Sequence, residues 1–166
     1  MGEMTMAKAQ SDATRVWFRL IRLHTRIRVA IADRLKAIGI SVPQCDVLTT
    51  LTEEEGLNQQ VLAERLYVTK GNISGLLDRL ADAGLVERRV IAGDKRSFAV
   101  FLTPTGRDIA RQGIEIQNEF IQATFGQLSP GSLAEFENYL IKSRNLVRAA
   151  GIPMTEDAPA KTKVAV

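Results

Sequence analysis

The 166-residue chain has a single cysteine, Cys45, and a single histidine, His24. One cysteine closes no internal disulfide, so the chain reads most simply as cytoplasmic. One histidine and one cysteine do not assemble the ligand clusters that zinc requires, and no metal is expected. Aromatic residues make up only 5%, which leaves the packing to aliphatic side chains. No apolar run approaches the ~20 residues that span a bilayer. The opening MGEMTMAKAQSDAT lacks the apolar segment of a signal peptide. Also missing are a phosphate-cradling glycine loop, a zinc spacing and a Cys/His pair in context. With them go the ordinary marks of an enzyme, so no catalytic residue and no cofactor are expected.

What is present is ordinary in bulk and uneven in place. With 45% hydrophobic and 25% charged residues, the composition fits one soluble globular domain. A net charge of +3 permits a nucleic-acid partner without arguing for one. From Asp12 to Lys36 basic residues dominate: Arg15, Arg19, Arg22, Arg26, Arg28, Arg34 and Lys36 stand against Asp12 and Asp33. A run of that kind is ordinarily a solvated face.

Periodicity places the elements. Residues 1–11 read as a disordered N-terminus. Val16, Leu20, Leu23, Ile27, Ile31, Leu35 and Ile38 step by three and four along a first helix over 12–38, which Gly39 stops. A seam that long suits packing against another long helix or a second subunit. Pro43 opens a helix to Glu54, with proline at its first position. Thr103-Pro104 and Ser129-Pro130 are two cap-then-proline starts, for helices over Pro104–Phe125 and on to Ala150. Residues 151–166 read as a flexible tail.

Between these lies the most telling stretch, Leu57 to Leu102. A short helix over Asn58–Leu66 is followed by a break, and Thr69 is a good N-cap for a second helix over Lys70–Ala83. Ile73, Leu76, Leu77 and Leu80 give that helix one buried face, and Gly84 ends it. Its first turn, Thr69, Lys70, Gly71, Asn72, Ser74 and Gly75, is small and polar, the surface a helix needs to enter a DNA major groove. Two β-type runs, Leu85–Ile91 and Ser97–Leu102, then flank the turn Ala92-Gly93-Asp94-Lys95-Arg96 as a hairpin. Arg88, Arg89, Lys95 and Arg96 make that hairpin cationic, which suits phosphate contact or a narrow minor groove.

The order of elements, VTKGNISGLLDRLADAGLVER, the Asp94-Lys95-Arg96 tip and LTPTG at 102–106 resemble the MarR family of winged helix-turn-helix regulators over residues 12–149. The fold class expected is therefore mainly α with a small β-hairpin wing (α+β). The resemblance implies a DNA-binding lobe at 39–103, with long dimerisation helices at 12–38 and 104–150. It implies a homodimer that binds a pseudo-palindromic double-stranded operator, commonly as a repressor, and is released by a small molecule or an oxidant.

On that footing the DNA-binding candidates are Thr69, Lys70, Gly71, Asn72, Ser74, Arg88, Arg89, Asp94, Lys95 and Arg96. Lys70 suits a guanine edge or a phosphate, Asn72 a bidentate pair with adenine, and Thr69 and Ser74 either kind of contact. Asp94 stands two residues before Arg96 and can orient its guanidinium. Arg79 reads as a support for the wing or the backbone. Trp17, His24 and Arg28 share one side of the first helix and are candidates to line an effector site. Cys45, in the first turn of the second helix, is either a small core residue or, if the helix dipole lowers its pKa, a redox sensor. The alternative to DNA binding is a winged-helix module for protein–protein contact, since a fold does not fix a function.

Overall fold

Nine elements follow one another in the computed structural model, which describes residues 2–91 and 94–150, with side chains over 12–90 and 98–150. They are α1 (Gly2–Leu35), α2 (Val42–Glu53), β1 (Leu57–Asn58), α3 (Gln59–Arg65), α4 (Lys70–Asp82), β2 (Val86–Ile91), β3 (Asp94–Leu102), α5 (Pro104–Ala123) and α6 (Pro130–Ala149). The chain forms two units, residues 1–42 and 43–166.

In the first unit, α1 begins at Gly2, where the sequence suggested disorder up to residue 11. Glu, Met, Ala, Lys and Gln dominate that segment and no proline interrupts it, so local propensity extends the helix backwards. At the other end the last turn tightens into a 3-10 turn, Lys36–Ile38. Val16, Trp17, Phe18, Leu20, Ile21, Leu23 and Val29 are all exposed along α1.

The second unit holds the helix pair and the hairpin. Asn58 caps α3, its Oδ1 accepting from Val61 N at 2.9 Å. It therefore precedes the helix, where periodicity alone had placed it inside. Asn58 also belongs to the two-residue strand β1, which pairs with β3 as Leu57↔Val100 and Asn58↔Ala99. The antiparallel sheet has the order β1-β3-β2. Its β2–β3 register runs from Val86↔Leu102 through Arg88↔Val100 to Val90↔Phe98. Because side chains alternate, Val86 and Arg88 share one face with Val100 and Leu102, and Glu87 and Arg89 share the other with Phe101.

Ile73, Leu76, Leu77 and Leu80 are buried on α4, as their spacing foretold, together with Leu62 of α3 and Val86, Val100 and Leu102 of the sheet. Contacts of α3 with α4 and of α4 with β2 close this core. Each such side chain contributes on the order of 1.5–3 kcal/mol of burial.

The entry to α5 is bolted to this core. Thr103 N donates to Leu85 O at 3.1 Å, and the Thr103 hydroxyl donates to Gly84 O at 2.7 Å while accepting from Gly106 N at 2.9 Å. A Cβ on Gly106 would stand 1.9 Å from Leu85 O, so only glycine permits this approach. Arg107 pairs with Glu55, and Arg65 with Glu54, tying the end of α2 to α5 and α3.

Beyond Ala123 the chain leaves the helix at Thr124 and makes a 3-10 turn over Phe125–Gln127, two residues earlier than expected. Phe125 then stacks on Phe136 of α6 at 6.0 Å. None of the residues of α6 is buried.

Candidate nucleic-acid interface

Thr69 does what its position suggested. In extended backbone (φ −71°, ψ 153°) it caps α4, its Oγ1 accepting from Asn72 N at 3.3 Å. Its hydroxyl proton stays free to donate outward. The cap fixes where α4 starts and hence which side chains its first turn presents. Gln59 braces the same end, its Nε2 donating to Lys70 O at 3.3 Å.

The helical period sorts the outer face into flanks. Lys70 and Ser74, four residues apart, turn toward the hairpin. They line a cleft of about 380 Å³ with Asn58, Gln59, Gln60, Arg88 and Phe98, floored by Leu77 and Val100. Gly71 and Gly75 form the middle of the face. Nothing lies within 4 Å of where a Gly71 Cβ would stand. Asn72 and Arg79 occupy the far flank, both exposed.

Arg79 departs from expectation. Its guanidinium folds back along α4, placing Nη1 3.6 Å from the position a Gly75 Cβ would take. It therefore adds a cation to the outward face of α4, where the sequence reading had made it a support for the wing. The supporting role falls to Asp78, whose carboxylate meets Arg88 at 2.7 Å and joins α4 to β2. The pair is partly solvated, so its value lies in aligning the hairpin on α4 more than in stability.

Arg88 and Arg89, adjacent in sequence, point to opposite faces of the hairpin. Arg88 lines the cleft beside α4. Arg89 pairs with Glu87 and lays its guanidinium over the Phe101 ring, 4.2 Å from the centroid. The two are separate sites, where sequence alone treated them as one basic patch. The side chains of Asp94, Lys95 and Arg96 lie outside the described residues, although the backbone at 94–102 is strand.

Trp17, His24 and Arg28 are exposed along one side of α1. Cys45 is fully buried in α2. Gln117 of α5 donates to its Sγ at 3.8 Å. Burial, with the Asp46 carboxylate adding to it, pushes the thiol from 9.0 up to about 11. This reverses the dipole argument: desolvation outweighs the helix terminus, and the reactive thiolate is disfavoured. Among the described residues no group of His, Cys, Asp and Glu is placed to hold a metal ion, and no helix is long and apolar enough to cross a membrane.

Asn58, Gln59 and Gln60, which line the cleft, were not singled out from the sequence. Their signal was the polar run at the start of a helix one turn ahead of α4.

Known proteins share this arrangement. A family model described as MarR family matches residues 38–97. An uncharacterised HTH-type transcriptional regulator of Bacillus cereus is 30% identical over 110 residues, covering 66% of this chain and 73% of the relative. An HTH-type transcriptional repressor of Mycobacterium tuberculosis is 26% identical over 132 residues, covering 80% of this chain and 95% of the repressor. Among solved structures, a mutant MarR from E. coli complexed with operator DNA superposes with a TM-score of 0.68 at 28% identity, covering 75% of this chain and 91% of that one.

Proposed function

The chain belongs to the MarR family of transcriptional regulators, and on that premise we propose that it binds a pseudo-palindromic operator as a homodimer, represses from it, and is released by a small ligand. The observation that carries this reading is the outward face of α4. Thr69, Lys70, Asn72 and Ser74 present short donors and acceptors, and the glycines between them let backbone approach a base edge. Beside that face, Arg88 is held on β2 by Asp78. In this assignment Asn72 reads a base, Lys70 and Thr69 hold phosphates, and Arg79 adds a cationic contact on the Asn72 flank. Asp94, Lys95 and Arg96 form the wing tip, with Arg96 entering the adjacent minor groove. A partner of this kind places the protein in the cytoplasm.

The lobe at 39–103 binds DNA, and the helices at 12–38 and 104–150 make the dimer. Tyr139, Leu140, Ile141, Leu146 and Val147 are exposed on α6, and α1 carries its own exposed apolar stripe. Twenty-residue helices are not held by propensity alone, and a second copy supplies the missing cover. Release by oxidant is the weaker option, because Cys45 is buried and its thiol neutral. Trp17, His24 and Arg28 are the candidates for the ligand.

Titrating labelled duplex with protein at several salt concentrations tests the reading. Operator binding predicts an affinity that falls steeply with salt and a complex of two chains per duplex. Binding of no duplex at any salt concentration would leave the protein-contact module as the better reading.

A further inference from the structure

Three turns of this chain have the same backbone construction. At Gly39, the N–H bonds to Lys36 O at 3.1 Å while the next residue, Ile40, bonds back to Leu35 O at 3.3 Å. At Gly84 the same pair runs to Ala81 O and, from Leu85, to Leu80 O, each 2.9 Å. At Tyr67 it runs to Glu64 O at 3.2 Å and, from Val68, to Ala63 O at 3.0 Å. All three residues are left-handed, with φ of 75°, 68° and 53°. This double bond is the ordinary way to close a helix, and it favours glycine because a Cβ is strained at positive φ.

Two of the three positions use glycine, and Tyr67 is the one non-glycine residue at positive φ among those described. Burial does not explain it, since Tyr67 is 54% exposed. Its location does distinguish it. The turns at Gly39 and Gly84 do not adjoin the outward first turn of α4, whereas Tyr67 stands two residues ahead of Thr69, the cap of α4. A strained residue kept at a functional edge points to a use for its side chain.

We propose that Tyr67 is a DNA-contact residue whose phenolic hydroxyl donates to a backbone phosphate at the lip of the groove that α4 enters. The proposal rests on the reading of α4 as a DNA-binding helix. A neutral O–H suits the task, because tyrosine is among the ordinary donors to phosphate oxygen. The contact fixes the approach of α4 without reading a base and without displacing a counterion.

The test compares wild type, Tyr67→Gly and Tyr67→Phe for thermal melting and for binding to one duplex recovered from a random library by the wild-type protein. Tyr67→Gly is expected to melt higher, because the strain is gone, and to bind about tenfold more weakly. Tyr67→Phe is expected to melt as wild type and to show the same loss, with the salt dependence unchanged. Lys70→Ala, the control, lowers that salt slope by about one. If both Tyr67 variants bind like wild type, or if Tyr67→Gly melts lower, the role given to Tyr67 is overturned while the DNA reading stands. A wild-type protein that recovers no duplex overturns both.

Discussion

Asn72 and Arg79 share a flank of α4, seven residues apart, yet their chemistry suits them to different work. Asn72 carries an amide suited to adenine, so Asn72→Ala should lose about 1–3 kcal/mol on the preferred operator and relax specificity at one or two base positions. Arg79→Ala should weaken all duplexes to a similar extent and flatten the salt dependence by about one. Competition binding against single-base operator variants separates the two patterns. Equal loss on every sequence for Asn72→Ala would remove it as a reader. Asn72 was legible because a polar residue in the first turn after a capping threonine can point in few directions. Arg79 was not, since its direction depends on a rotamer that lies back over the bare backbone at Gly75, and sequence spacing does not encode rotamers. Cys45 misled for a related reason: its place in a first turn is visible in sequence, while its complete burial is a property of the fold. The consequence is measurable. Below pH 9 the thiol is neutral in both states and its stabilising burial is intact. Above pH 9 the unfolded chain releases the proton that the folded chain holds up to about pH 11, so stability falls as pH rises, by up to about 1.4 kcal/mol per pH unit. Denaturant melts at pH 8 to 11 should show the gap between wild type and Cys45→Ala narrowing through that range. An aromatic disulfide reagent should label the native thiol slowly.

At the scale of elements, the joint between Gly84-Leu85 and the start of α5 carries the most structural meaning. Three hydrogen bonds from Thr103 and the bare Cα of Gly106 lock α5 against the first residue before β2. Gly106→Ala pushes a methyl into Leu85 O and should cost about 3 kcal/mol in a denaturant melt. Thr103→Ala should cost about 1–2 kcal/mol through the lost cap and its second bond. A Gly106→Ala protein as stable as wild type would contradict the joint. The starts of α4, α5 and α6 were all legible, because Thr69, Thr103 and Ser129 are cap residues and two of them precede proline. The strand β1 was not legible, since two residues have no period. Asn58 also looked helical for the reason that it caps a helix. The hairpin was legible as a hairpin, but the division of Arg88 and Arg89 between its faces depends on the pairing register with Val100 and Ala99.

For the whole molecule, the decisive feature is apolar surface that one chain leaves open. Leu140 is 47% exposed and Leu146 71% exposed on α6, a helix with nothing buried. The double variant Leu140→Glu with Leu146→Glu should sediment as a monomer while keeping its helical circular dichroism. It should also lose most operator affinity, because two half-sites are no longer held together. A double variant that stays dimeric and binds normally would show that α6 is not the dimer surface. The long helices were visible in the sequence as apolar stripes. Which stripes remain uncovered was not, because a stripe facing the core of its own subunit and one facing a second subunit have the same period.

The central claim is that α4 reads DNA within a two-fold dimer. Selection of bound duplexes from a random library by the purified full-length protein, at about 150 mM salt to suppress loose electrostatic binding, tests it most directly. The expected product is an inverted repeat with half-sites about 10–10.5 base pairs apart, centre to centre. A folded, dimeric protein that enriches no motif would contradict it.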